Sequence, residues 1–240
     1  MVGGRRLRIL ELLVGDAAAD LHTRRLCEVC AQVTGATGAG IMLMAGDVPR
    51  GSLCATNAVS TLIEQLQYTL GEGPCVDAFS QDRPVLEPDL ADPMTPRWPA
   101  FRGPAVQAGV RAVFGFPLQV GTVRLGALDL YNERPGPLTE EQHADALVLA
   151  GIAAQAVLVL QADAPAHQLA VELERGADLQ YVVHQASGMV AAQLDVGVGQ
   201  ALVRLRAHAF ANDRSLTAVA RDVVARTLRF SRDDDTGSDP

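Results

Sequence analysis

The stretch LGEGPCVDA, Leu70–Ala78, joins a helix-like run to a segment crowded with proline, and its reading decides what the first half of the chain is. A phosphate cradle needs a strand before the glycines, a helix opening after them and usually a lysine. Here AVSTLIEQLQYTL comes before the glycines, with Val59, Leu62, Ile63, Leu66 and Leu70 at helical intervals. The chain contains no lysine, so all 20 of its Lys+Arg residues are arginine. A catalytic Cys75 needs a histidine partner, and none of the 5 histidines stands in a recognisable partner motif. What remains is a turn: Gly71 stops a helix, Pro74 is a rigid exit, and Cys75 packs as a small hydrophobe.

Working outward, residues 5–34 read as helical, with Leu7, Leu10, Leu13 and Val14 followed by Leu21, Leu26, Val29 and Val33. IMLMA and SLCATN, separated by GDVPRG, read as strand, turn and strand. The span Pro74–Pro104 is rich in proline and acid, which predicts a strand at Val85–Glu87 followed by loop and turns. VRAVFGFPLQV and VRLGALDLYN form a hairpin about Gly121–Thr122. Thr139 is placed to cap a long helix that runs from there past Gln155. This order predicts an α+β fold, an antiparallel sheet with flanking helices whose terminal members lie close together and carry wide apolar stripes.

A break at Pro165 places a linker over residues 163–170, and the chain after it reads as three short helices. The expected domains are residues 1–162, residues 163–230 and an acidic disordered tail, residues 231–240. Charge follows the same division. Residues 201–230 carry six arginines against Asp213 and Asp222, a net of +4, whereas the whole chain carries −8. A basic segment on an acidic body suggests an anionic partner for that segment. Within it, Arg204 pairs by spacing with His208 and Arg206 with Phe210 on the second helix, while Arg214 and Arg221 stand seven apart on one side of the third. Arginine beside an aromatic or a histidine suits phosphate contact and base stacking in looped RNA, and a DNA-reading helix uses similar material.

Nearly half of the residues are hydrophobic and a fifth are charged, as in soluble globular chains. No apolar run is read as approaching the ~18 uncharged residues of a membrane span. Four cysteines are too few for a disulfide framework, which fits a cytoplasmic chain. Cys27, Cys30, Cys54 and Cys75 are read as core rather than a four-thiolate zinc site, so neither metal nor cofactor is expected. A second cluster joins Cys75 with Trp98, Phe101, Arg111 and Phe114, and an irregular crossover over a sheet face encloses a pocket lined by such residues.

LGEGPCVDA, RPVLEPDLAD, RWPAF, GVRAVFGFPL and LGALDLYN closely resemble the GAF sensor domains of actinobacterial regulators. VHQASGMVAAQLDV and ALVRLRAHAFANDRSLTAVARDVVART resemble the ANTAR domain that follows GAF in those proteins. Gln180 and Ser187 depart from that pattern, standing where many members carry arginine and lysine. The resemblance implies a GAF-type sheet domain followed by an all-α three-helix ANTAR domain, in a dimeric, cytoplasmic, non-enzymatic regulator. The GAF part would sense a small molecule or partner. The ANTAR part would bind RNA stem-loops to block termination, with Arg204, Arg206, His208, Arg214 and Arg221 toward RNA.

Overall fold

The computed structural model describes residues 2–14, 22–45, 48–94, 97–163, 178–212 and 214–231. The chain divides into two compact units, Met1–Leu169 and Ala170–Pro240. The linker expected over 163–170 and the acidic tail lie almost wholly outside the described residues.

In the first unit, helices α1 (Val2–Val14) and α2 (His22–Thr34) precede strands β1 (Gly38–Ala45) and β2 (Val48–Ala55). Next come α3 (Ala58–Leu70), α4 (Pro74–Gln81), β3 (Val85–Glu87) and α5 (Pro99–Gln107). Strands β4 (Ala112–Val120) and β5 (Val123–Asn132) and the long helix α6 (Glu140–Asp163) close the unit. The five strands form one sheet in the order β2-β1-β5-β4-β3, every neighbouring pair antiparallel. The α+β architecture expected from the sequence is the one observed.

Strand side chains alternate between faces, so register assigns each residue to a layer. Phe116 meets the His143 ring of α6 at 5.4 Å, which puts Phe114, Phe116 and Leu118 on the α6 face. Their neighbours in register, Leu128 and Leu130 of β5, share it, and all five are fully buried. Gly115, between Phe114 and Phe116, faces the other way, against Pro74 and Ala78 of α4. On the α6 side, the two ends of the unit meet: Arg5 and Arg8 of α1 reach the buried Asp145 at 2.7 and 3.2 Å, and Arg6 donates to Gln155.

Four sequence expectations need correction. The irregular span after Gly71 contains two helices, α4 and α5, each opening on a proline at its first position, Pro74 and Pro99. Proline fits there because the first N–H of a helix has no intrahelical acceptor and its fixed φ is helical. The single helix of residues 5–34 is two, α1 and α2, and residues 15–21 between them lie outside the described ones. Cys27 of α2 is disulfide-bonded to Cys54 of β2, so these two are not free thiols, and no four-thiolate metal site forms. Finally, residues 146–162 contain no charged residue, and α6 is by length and composition alone apolar enough to cross a membrane. Its residues Ala146, Leu149, Ala153, Ala154 and Val157 are buried in the unit.

The second unit holds α7 (Asp178–Leu194), α8 (Val198–Ala211) and α9 (Leu216–Val224). Val183, Ala186 and Val190 of α7, Ala201, Leu202 and Leu205 of α8, and Leu216, Val219 and Val223 of α9 make its core. Ser215 caps α9 through the Ala218 N–H. Among the described residues of this unit, these three helices are the regular structure.

Candidate functional site

The segment Gly71–Cys75 organises the first unit's interior. Gly71 ends α3 in the left-handed conformation, at φ 67°, and its N–H returns to the Gln67 carbonyl. Glu72 turns outward to accept the Ala100 N–H at 3.0 Å, supplying a carboxylate to the N-terminus of α5. Pro74 opens α4, and Cys75, fully buried, gives its backbone N–H to Gln67 Oε1 at 2.8 Å. The segment thus ends one helix and starts two others.

Beneath it, the sheet offers an aspartate between two glycines. Gly40 of β1 pairs with Asp129 of β5, and Asp129 pairs with Gly115 of β4. Both glycines make room for helices. A Cβ on Gly40 would stand 2.7 Å from the Glu64 carboxyl carbon, and one on Gly115 would stand 2.6 Å from the Pro74 carbonyl carbon. Because α3 and α4 can approach this closely, Glu64, Gln67 and Cys75 converge on Asp129. One ligand-capable atom from each of Glu64, Cys75 and Asp129 lies within 4.8 Å of the others.

The cluster is buried and acidic. Glu64 is 2% exposed and Asp129 4%. Gln67 Nε2 donates to Asp129 Oδ2, which fixes that carboxyl. Both oxygens of Glu64 and Oδ1 of Asp129 are buried with no hydrogen-bond partner among the described residues. Burial, reinforced by the Asp129 carboxylate, pushes Glu64 well above the ordinary carboxylate range. Asp129 is raised by burial, with the Cys75 thiol and Gln67 opposing the rise. The Cys75 thiol is raised too, first by burial and then by the two carboxylates.

The other predicted pocket residues divide among three places. Trp98 and Phe101 pack edge to face at 5.9 Å, and Trp98 holds a left-handed backbone at φ 51°. A bulky residue pays for that conformation. It is tied down by Nε1–H donation to Asp77 and by the Arg97 guanidinium stacked 4.5 Å over its ring. Around it lies a shallow cleft lined by Glu87, Asp89, Leu90, Arg97, Trp98 and Arg102, with no enclosed room for even a water-sized guest. Arg111 grips Asp89 through both carboxylate oxygens, at 2.9 and 3.1 Å, and so braces the cleft's floor. Phe114 belongs to the opposite face of the sheet. Cys75 therefore belongs with Glu64, Gln67 and Asp129, none of which the sequence reading singled out.

In the second unit the predicted cations do not all share one surface. Arg214 precedes α9 rather than lying on it, and its guanidinium meets Asp222 at 2.6 Å. The seven-residue spacing to Arg221 therefore does not mark a common helix face. Arg204 and Arg221 are exposed, Arg206 is partly buried, and the His208 ring packs against Phe230 at 5.2 Å. On α8 the spacing aligns Val203, Arg206 and Phe210, and Phe210 is 75% exposed. Ser187 is buried, its hydroxyl donating to the Val183 carbonyl at 2.8 Å, so this position contributes nothing to a cationic face. The side chain of Gln180 lies outside the described residues.

A sequence-family model described as a GAF domain matches residues 23–158. No curated protein matches the chain. Among solved structures, the GAF domain of a phosphoenolpyruvate-protein phosphotransferase from Acinetobacter is similar at a TM-score of 0.52 and 14% identity, covering 68% of this chain and 96% of that one. The corresponding domain from Coxiella burnetii is similar at a TM-score of 0.50 and 13% identity, covering 67% and 95%. At such identities the likeness concerns the fold.

Proposed function

From one premise, that the chain belongs to the GAF domain family of sensory modules in signalling, we propose a signal-responsive RNA-binding regulator of the antitermination type. In this reading the first unit receives a small molecule or partner. The second, an ANTAR-type three-helix unit, binds stem-loops in nascent transcripts, and the protein works as a cytoplasmic homodimer without enzymatic activity. The observation that carries RNA binding is the outward face of α8, where the exposed Phe210 stands one turn from Arg206. A solvent-exposed aromatic ring costs apolar surface in water, and beside a guanidinium it offers an unstacked base a platform and its phosphate a charge. The exposed Arg204 and Arg221 add charge to the same unit, and Arg214 pairs with Asp222. For the dimer, Leu7 of α1 and Leu147 and Val159 of α6 are exposed apolar residues that a second copy would cover.

The test compares binding of the full-length chain to stem-loop RNA and to duplex DNA of equal charge at one fixed salt concentration. Preference for the stem-loop is expected, with Phe210→Ala losing about 1–3 kcal/mol of RNA affinity. Preference for the duplex overturns the reading in favour of a DNA-binding regulator. Equal failure on both favours a sensor acting through protein partners. The Cys27–Cys54 disulfide is of a kind rare in the cytosol, so counting free thiols in freshly lysed cells tests the proposed compartment.

A further inference from the structure

We propose that Glu64, Cys75 and Asp129 form a binding site for one divalent transition-metal ion of the zinc(II) or iron(II) kind. The proposal deepens the sensory reading by naming what the first unit takes up, and it does not depend on RNA binding. Three features of the interior carry it. The donor atoms, one sulfur and two carboxylate oxygens, already lie within 4.8 Å of one another. Tetrahedral sites with bonds of ~2.0–2.3 Å place neighbouring donors ~3.3–3.7 Å apart, so side-chain rotation of about an ångström closes the set. All three residues are more than nine-tenths buried, yet three of the four carboxylate oxygens have no hydrogen-bond partner among the described residues. A buried polar group without a partner is expensive, and a cation bound between these oxygens removes the expense.

The surroundings have the form of an outer shell that orients ligands. Gln67 donates to the second oxygen of Asp129 and accepts the Cys75 backbone N–H, so one side chain holds two of the three donors in place. The glycines at 40 and 115 let both helices descend to the sheet at this point.

The donor set also selects the ion. Calcium takes six to eight oxygens and magnesium an octahedron of oxygens, and a thiolate serves neither. Sulfur together with carboxylate oxygen suits borderline first-row ions. Three protein donors leave a fourth tetrahedral position for water or a small exogenous ligand, as in sites that react or exchange rather than merely brace a fold.

Cobalt(II) is the probe. The full-length chain, stripped with chelator and with its disulfide intact, is titrated with Co(II) while absorbance is read. One equivalent should bind and produce a near-ultraviolet sulfur-to-cobalt charge-transfer band. Cys75→Ser should abolish the band, and Glu64→Gln and Asp129→Asn should each weaken affinity at least tenfold. Cys30→Ser, which alters the other buried free thiol, should leave band and affinity unchanged. Circular dichroism establishes that each variant is folded. Glu64→Gln, the closest in shape, keeps the test decisive if the other two are not. Absence of the band in the parent chain overturns the proposal, as does a band that survives Cys75→Ser or binding unaffected by Glu64→Gln. Because no RNA is present, these outcomes are separate from the stem-loop comparison.

Discussion

The two faces of the sheet are built on opposite principles. Toward α6, Phe114, Phe116, Leu118, Leu128 and Leu130 make a wholly apolar layer. Toward α3 and α4, the same strands present Gly40, Asp129 and Gly115 in one row, and the helices answer with Glu64, Gln67 and Cys75. An apolar interface is stabilised roughly in proportion to the area it removes from water, with no demand on partner identity. A buried polar interface gains stability only when every donor and acceptor is matched, and here three oxygens are not. The contrast indicates that the α6 face holds the unit together, while the α3–α4 face keeps a polar interior at some expense to stability.

That contrast can be broken by substitution. The largest effect is expected on the apolar face, where Phe116→Ala should destabilise the unit by about 3–5 kcal/mol in denaturant unfolding. Reduction of Cys27–Cys54, which closes a loop across a sequence separation of 27, should cost about 3 kcal/mol. It should leave the cobalt band intact, since neither cysteine is in the cluster.

On the polar face, the sign should change with the residue altered. Gly115→Ala drives a methyl into the Pro74 carbonyl and should cost about 1–3 kcal/mol. Glu64→Leu removes an unmatched carboxyl and should leave metal-free stability unchanged or raise it by about 1–3 kcal/mol. A loss comparable to that of Phe116→Ala would erase the distinction between the faces.

The smallest effect lies at the cleft. The Ala91 N–H, followed by the Arg111 guanidinium, holds the Asp89 carboxyl below its usual range. A depressed carboxylate stabilises the fold above its unfolded value near 3.9, and that stability is lost as pH falls through the folded value. Arg111→Ala should therefore lower the melting temperature slightly at neutrality, and the difference from the parent chain should vanish as pH falls through the folded value of Asp89, which flattens the acid side of a plot of melting temperature against pH.

Much of the fold was legible because its signals are local. Gly71 as a helix stop, Val85–Glu87 as a strand, and the hairpin about Gly121–Thr122 each follow from a few adjacent residues. The starts of α4 and α5 are also written in the sequence, as Pro74 and Pro99, but proline density taken by itself predicts irregularity. Helix α3 is more instructive. Its apolar spacing draws attention to Val59, Leu62, Ile63, Leu66 and Leu70, of which Ile63 alone lies on the buried face, and that face otherwise runs through Ser60, Glu64, Gln67 and Tyr68. Asp129, alternating with Leu128 and Leu130, has the pattern of a residue facing water.

The sequence by itself determined the elements, their order and the alternation of side chains along each strand, because the periods of helix and strand are properties of the local backbone. Only the tertiary structure decided that the polar side of β5 faces inward and that Gly40 and Gly115 flank Asp129. It likewise decided that Cys27 meets Cys54 and that Arg214 spends its charge on Asp222. These pairings depend on register and on closure of the chain across many residues, and no local period records which distant residue will be opposite.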